Sequence, residues 1–207
     1  LYPEVSPNAV KRFKTLVRSK AYDDVAFHRV IEGAIVQAGD LEFGKKDRLD
    51  YGKIGTGKSG LGTIKSETDH DFNYTKGSVG LARTFKSNTE DSQFFIILQD
   101  EPLFEGEYTP VGKVLYGLEV LEKVKHIRNY EYILRPDFIN SFKMLNQLWI
   151  PLNLSDLLLN NSAVTKIRVD IIIKHVATAI IVGLNCSLNP THIWIGIVVF
   201  SSPAKNN

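Results

Sequence analysis

Apolar residues recur at helical spacing near the start of the chain. Four of them lie three or four positions apart, with basic residues between them: Val10, Phe13, Leu16 and Val17. Ser6 and Pro7 precede this stretch and suit the capping residue and the first position of a helix. The pattern predicts an amphipathic helix over residues 6–19.

Short apolar or alternating runs elsewhere predict strands. They cover residues 25–31, 34–37, 78–83, 93–98, 109–114 and 166–171. A second short helix follows Gly117 and extends to about residue 124, and residues 39–65 form a long loop rich in glycine and charge. Many short strands without an alternation of strand and helix favour a closed or nearly closed β structure over a parallel sheet.

Composition narrows the function classes. The 207 residues carry 25 Lys and Arg against 23 Asp and Glu, so the net charge of +2 does not indicate a nucleic-acid partner. One cysteine excludes an internal disulfide framework and a cysteine-rich zinc site. The five histidines lack ligand spacing, so we expect no metal and no cofactor.

The C-terminal part differs from the rest, because residues 145–207 contain only six charged side chains. Two apolar runs, 176–184 and 193–200, are each shorter than the ~20 residues of a membrane-spanning helix. We expect a β-hairpin within residues 175–207, and a membrane anchor is the less favoured alternative.

Residues 52–59, GKIGTGKS, match the phosphate-binding pattern G-x-x-x-x-G-K-S. That motif functions only between a buried strand and a helix. Charged residues precede it here and Gly60 and Gly62 follow it, so a flexible surface loop is the preferred interpretation.

Three segments together carry a resemblance to a known family. They are FHRVIEGAIVQAGD at 27–40, GLAR at 80–83 with SQFFI at 92–96, and FEGEYTPVGKV at 104–114. In this order and spacing they resemble the cyclophilin-type peptidyl-prolyl cis-trans isomerases, especially the bacterial branch.

The resemblance implies an antiparallel eight-stranded β-barrel capped by two α-helices, with an atypical C-terminal extension. It covers about residues 1–126, and residues 165–174 could supply the last strand. The chain opens at Leu1 without a signal segment, and we expect the first barrel strand to be missing. Residues 127–164 have no counterpart and form an insertion or extension of unknown role.

Isomerisation of an X–Pro bond has a barrier of roughly 18–20 kcal/mol, because twisting breaks amide resonance. An enzyme must bind the twisted amide better than the planar one. An apolar pocket for the proline ring and a fixed cationic donor such as arginine supply this preference without a cofactor.

The resemblance assigns these roles to particular residues. Arg29 matches the catalytic arginine, Gln37 the glutamine that supports it, and Phe95 the aromatic floor of the proline pocket. Further residues fall on the substrate groove: Ala34, Ile35, Ala82, Arg83, Gln93, Leu103, Phe104 and Tyr108.

Two departures bear on function. Ala34 stands where the family usually has Phe, which removes one wall of the pocket. Leu103 stands where many eukaryotic members have Trp, so we expect weak cyclosporin binding. The leading hypothesis is an isomerase acting on proline-containing unfolded or flexible polypeptides and assisting their folding. The alternative is a proline-binding module of the same fold with little or no turnover. Because bacterial relatives occur in both cytoplasm and periplasm, the compartment stays open.

Overall fold

The computed structural model describes residues 1–124 and 135–145, together with the backbone of two later strands. This part of the chain is mainly β and has two α-helices, α1 (Pro7–Arg18) and α2 (Leu118–Leu121), as predicted. It also has a short 3₁₀ helix at Pro102–Phe104. The strands are β1 (Val25–Ala26), β2 (Arg29–Ile31), β3 (Ile35–Ala38), β4 (Ser78–Leu81), β5 (Phe94–Ile97), β6 (Pro110–Lys113), β7 (Phe138–Leu145), β8 (Ala177–Asn185) and β9 (Ile193–Phe200). The strand predicted within residues 165–174 lies outside the described residues.

All strand pairs are antiparallel, and they form two sheets. One sheet has the order β2-β3-β5-β4-β6 and the other β1-β7-β8-β9. Within the described ranges the strands do not close into one ring, so the eight-stranded barrel stays a prediction.

Helix α1 forms where the apolar spacing indicated. Pro7 occupies the first turn, where a backbone N–H has no partner inside the helix, so its missing donor costs nothing there. The apolar stripe is buried: Ala9, Val10, Phe13, Leu16 and Val17. At about 1.5–3 kcal/mol for each large apolar side chain buried, this stripe stabilises the helix more than its own backbone does.

The strand predicted over residues 25–31 is divided into β1 and β2. The reason lies in two neighbouring amides. Phe27 donates its N–H to the Asp137 carbonyl (2.9 Å), beside β7, whereas His28 donates to the Gln37 carbonyl (3.1 Å) in β3. The chain therefore passes from one sheet to the other between these residues, directly before Arg29.

Strand β7 lies within residues 127–164, where the sequence indicated no counterpart in the family. It pairs with β1 through Val25–Ile139 and Ala26–Phe138, and Ile139 and Phe142 are fully buried in the core. Strand β8 pairs with β7 and with β9.

The loop with the phosphate-binding pattern lacks the flanking elements that the motif requires. Residues 46–63 contain turns and bends but neither strand nor helix. Two of its amides, those of Gly55 and Gly57, donate to the carboxylate of Asp40 (2.7 and 2.9 Å), so they are already satisfied within the protein.

Candidate active site

Sheet register aligns the three predicted catalytic residues. In the antiparallel pairs Arg29 lies opposite Gln37, Gln37 opposite Phe95, and Phe95 opposite Gly80. Directly opposed residues place their side chains on the same face of a sheet. The row therefore puts the cationic, amide and aromatic side chains on one face, and the missing side chain of Gly80 leaves room for the Phe95 ring.

Hydrogen bonds connect the polar members of the site. Arg29 donates from Nη1 to Oε1 of Gln37 (3.3 Å), and Gln37 donates from Nε2 to Oε1 of Gln93 (3.0 Å). Gln93 in turn donates from Nε2 to the carbonyls of Gly55 (3.0 Å) and Gly57 (3.1 Å). The amide of Gln37 thus presents its oxygen, the end that a guanidinium needs, toward Arg29.

An aromatic cluster surrounds Phe95. The rings of Phe104 and Tyr108 meet the Phe95 ring edge-on at centroid distances of 5.3 and 5.2 Å, and lie 4.6 Å from each other. Phe95 and Ile35 are buried, while Ala82, Phe104 and Tyr108 are only partly so. The family resemblance assigned all five to the proline pocket or the substrate groove, and they lie together in one apolar cluster.

Two of the predicted groove residues lie outside this cluster. Leu103 is 82% exposed. Ala34 lies in the turn between β2 and β3, where its N–H donates to the Ile31 carbonyl (3.0 Å) and its carbonyl accepts from Leu98 (2.7 Å). Ala34 therefore does not pack against Phe95.

Arg83 lies at the rim of the cluster. Its guanidinium is 5.0 Å from the centre of the Tyr108 ring, and it donates to the backbone carbonyl (2.9 Å) and the carboxylate (2.7 Å) of Glu107. Ala82 donates its backbone N–H to the Gln93 carbonyl (2.8 Å). Arg83 thus fixes the segment that carries Tyr108.

A cavity of about 250 Å³ adjoins the polar end of this site. Gln37, Ala82, Arg83 and Gln93 line it together with the loop at residues 55–58. A cleft with polar side chains in its lining therefore lies next to the apolar cluster, an arrangement that suits an extended peptide with one apolar ring.

Tyr74 and Gly80 also approach the Phe95 ring, although the sequence pattern did not assign either of them to the site. The buried ring of Tyr74 lies 6.0 Å from that of Phe95, and its hydroxyl donates to the Tyr108 carbonyl (3.1 Å). Burial raises the pKa of Tyr74 well above its ordinary value. A Cβ at Gly80 would lie 2.5 Å from Cζ of Phe95 and 2.7 Å from the Tyr74 hydroxyl. Glycine inside a strand was the available signal for Gly80, since it often marks a close approach; Tyr74 had no periodic signal.

Burial favours the neutral form of the His28 imidazole. Its side chain is buried, and desolvation lowers its pKa from 6.5 to about 4, against a smaller opposing effect of Asp40. Across the described residues, no cluster of three or more His, Cys, Asp or Glu side chains is arranged to bind a metal ion. Nor does the described part of the chain contain a helix of the length and apolar character needed to cross a membrane.

The family model described as "Cyclophilin type peptidyl-prolyl cis-trans isomerase/CLD" matches residues 1–144. The chain therefore belongs to the cyclophilin family.

Individual relatives agree with the family match. A probable peptidyl-prolyl cis-trans isomerase of Brucella suis is 42% identical over 126 residues, which cover 60% of this chain and 64% of that protein. Peptidyl-prolyl cis-trans isomerase B of Bacillus subtilis is 36% identical over 128 residues, covering 61% of this chain and 80% of the relative. The chain thus matches somewhat less than two thirds of the length of the Brucella protein.

A solved structure gives the same result for the fold. The cyclophilin-type isomerase of Cryptosporidium parvum, crystallised in the presence of the dipeptide Ala-Pro, superposes with a TM-score of 0.54 at 29% identity. The superposition covers 64% of this chain and 82% of that one.

Proposed function

We propose that this chain is a peptidyl-prolyl cis-trans isomerase that accelerates X–Pro isomerisation in unfolded or flexible polypeptides and so assists their folding. The observation that carries the proposal is the row formed by Arg29, Gln37 and Phe95 across three neighbouring strands. A permanently charged donor lies beside an apolar surface, which is the combination that the reaction requires.

The mechanism needs no covalent step. The proline ring packs against Phe95, Phe104 and Tyr108, which excludes water from one side of the amide. As the bond twists, the nitrogen becomes pyramidal and its lone pair, no longer delocalised into the carbonyl, becomes localised on the nitrogen, where it accepts a hydrogen bond from Arg29. Gln37 holds the guanidinium in place through its 3.3 Å hydrogen bond. The donor is therefore ordered before the reaction, so little reorganisation is needed at the transition state.

We propose further that strands from both sheets belong to one eight-stranded barrel. Support comes from the passage between residues 27 and 28, where consecutive amides pair with different sheets. We also propose weak cyclosporin binding. It is supported by the exposed Leu103, because leucine offers less contact area than the tryptophan of many eukaryotic members and has no indole N–H to donate.

The decisive experiment measures exchange between cis and trans isomers of an Ala-Pro-Phe peptide by NMR. The wild-type chain should accelerate exchange above the spontaneous rate. Arg29→Ala should lower kcat/KM by about 100-fold, the usual cost of losing one preorganised donor. Arg18→Ala, which removes an exposed arginine from α1, is the matched control and should remain active. Wild-type exchange at the spontaneous rate would exclude the proposal.

A proline-binding module with little turnover is the second candidate. Ala34 favours it, since it supplies no wall to the cluster around Phe95. Titration with the same peptide separates the two functions, because a pure binding module shifts the signals of Phe95 and Tyr108 without accelerating exchange between the isomers.

A further inference from the structure

The side-chain amide of Gln93 has only one favourable orientation. Its two N–H donors are directed at two backbone carbonyls, those of Gly55 (3.0 Å) and Gly57 (3.1 Å). Its oxygen must then face Gln37, where it accepts the Nε2 donor at 3.0 Å. A carbonyl cannot donate, so rotating the amide by half a turn would place oxygen against oxygen.

The orientation of Gln93 determines which end of the Gln37 amide faces Arg29. Because the oxygen of Gln93 faces Gln37, the nitrogen of Gln37 is used there and its oxygen is left for Arg29 (3.3 Å). Reversal of Gln93 would reverse Gln37 and present an N–H donor to a guanidinium that can only donate. The two glycine carbonyls therefore set the direction of the whole chain of hydrogen bonds.

Asp40 holds these two carbonyls in place. Its Oδ2 accepts the N–H groups of Gly55 (2.7 Å) and Gly57 (2.9 Å), the same two residues whose carbonyls bind Gln93. Its Oδ1 accepts the N–H groups of Glu42 (3.1 Å) and Phe43 (2.8 Å). The carboxylate is fully buried, so four amides converge on one rigid anion.

We propose that Asp40 is a positioning residue for Arg29, acting through the loop at residues 55–57, Gln93 and Gln37. The inference rests on the proposed isomerase function and deepens it. The segment that matches a phosphate-binding pattern is used here to orient a glutamine. Its amides bind an internal carboxylate and its carbonyls bind the active-site amide.

The same loop provides a matched control at its other end. Ser59 donates its N–H (2.6 Å) and its hydroxyl to Asp91, which also pairs with Arg12. Neither the Ser59 nor the Asp91 side chain contacts Gln93 in these hydrogen bonds. Ser59→Ala therefore removes a polar anchor from the loop without altering the connection to Arg29.

The test uses Asp40→Asn in the full chain. Asparagine keeps the size but turns one acceptor oxygen into a donor, so one pair of backbone amides loses its partner. We expect kcat for the Ala-Pro-Phe peptide to fall about tenfold while KM changes by less than about twofold, since Arg29 is misplaced but the proline pocket is intact. Ser59→Ala should leave both constants within about twofold of wild type.

A second variant guards against a general loss of structure. Gln93→Glu places two acceptor oxygens against the two glycine carbonyls and Gln37, and it should also lower kcat. The double variant should lose little more than either single one, because both changes interrupt the same chain. Additive losses, or equal losses in Asp40→Asn and Ser59→Ala, would overturn the proposal.

A spectroscopic measurement separates this inference from the proposed function. The Nε–H signal of Arg29 in a ¹⁵N spectrum should shift in Asp40→Asn and stay unchanged in Ser59→Ala. An inactive wild type together with this shift would reject the isomerase function but retain the positioning by Asp40. An unchanged Arg29 signal in Asp40→Asn would reject the positioning whatever the activity.

Discussion

Two consecutive phenylalanines of β5 serve different regions of the molecule. Phe94 lies in the main core, where its ring meets those of Phe13 and Tyr22 edge-on at 5.4 and 5.3 Å. Phe95 lies on the opposite face, in the smaller cluster with Ile35, Tyr74 and Ile97. Both rings are buried, but the partly exposed side chains packed around Phe95 include the predicted groove residues Ala82, Phe104 and Tyr108. One strand thus contributes to the main core on one face and to the proposed proline site on the other.

The largest expected effects are opposite at these two positions: substitution of Phe94 should mainly lower stability, and substitution of Phe95 should mainly lower activity. Phe94→Ala should cost about 3–5 kcal/mol in the free energy of unfolding, because the cavity is enclosed by rigid rings. Phe95→Ala should cost less, since its cavity opens to the groove, but it should lower kcat/KM by about 10- to 100-fold through loss of the proline contact. Urea unfolding and isomer exchange measure the two quantities.

Phe94→Leu serves as a milder control if the alanine variant does not fold. It should unfold at lower urea concentration than wild type and keep most of its activity below the transition. The comparison fails if substitutions at Phe94 and Phe95 change stability and activity in the same proportion.

His28 and Arg29 form a second consecutive pair, in which His28 is buried in the interior and Arg29 belongs to the candidate active site. Burial lowers the pKa of His28 to about 4, whereas in the unfolded chain it is about 6.5. Between these pH values the unfolded state binds more protons, so the free energy of unfolding falls as pH drops from 6.5 to 4, by roughly 3 kcal/mol for this group. The contribution of His28 to the free energy of unfolding is therefore fully present above about pH 6.5 and is lost as the pH falls toward 4.

Urea unfolding at pH 7.5 and pH 4.5 tests this expectation, with His28→Gln as the reference. Other groups titrate in both chains, so the quantity of interest is the difference between them. Wild type should lose more stability than His28→Gln on acidification. Equal losses would mean that His28 titrates normally in the folded protein.

A third consecutive pair, Val79 and Gly80 in β4, should show losses of stability and activity of intermediate size when substituted. Gly80→Ala adds a Cβ that would meet the Phe95 ring and the Tyr74 hydroxyl, so the ring must move. We expect a loss of about 1–3 kcal/mol in stability and a clear loss of activity. Val79→Ala, in the main core, should destabilise without changing kcat/KM at low temperature. Full activity in Gly80→Ala would show that the Phe95 ring position is not critical.

The smallest effect is expected at the rim. Glu107→Gln weakens the ion pair (2.7 Å) between the exposed Glu107 carboxylate and the partly buried Arg83 guanidinium but keeps the backbone acceptor of Glu107. Such pairs contribute about 0.2–1 kcal/mol, so the midpoint of urea unfolding should hardly move. Raised salt should reduce the difference from wild type further, and a large salt-independent loss would point to a different role for Glu107.

The sequence predicted those features that depend on near neighbours. Helix α1 follows from local spacing and Pro7, and the mainly β character follows from short apolar runs. The resemblance selected Arg29, Gln37 and Phe95, and the sheet register places them in one row. The assignment of Ala34 and Leu103 to the groove stays a prediction. The match could not show that Ala34 lies in a turn or that Leu103 is exposed, because both depend on the folded backbone.

Long-range pairing accounts for what the sequence did not predict. The division between β1 and β2 depends on Asp137 and Gln37, which bind the amides of residues 27 and 28 from different sheets. The link from Gln93 to Gly55 joins residues 38 positions apart. Neither contact leaves a local signal, because glycine, glutamine and aspartate also fit an ordinary surface loop.

The chain passes from one sheet to the other between Phe27 and His28, and this passage can show whether the two sheets unfold cooperatively. The amides of Phe27 and His28 are adjacent in sequence, yet the first is protected by the β7 side and the second by β3. Hydrogen exchange of an amide reports the opening that frees it. If the two sheets open together, these neighbouring amides exchange with the same free energy of opening. If one sheet opens alone, the two free energies differ. Two adjacent peaks in one spectrum thus report whether the region that holds Arg29 can loosen while the rest of the molecule stays folded.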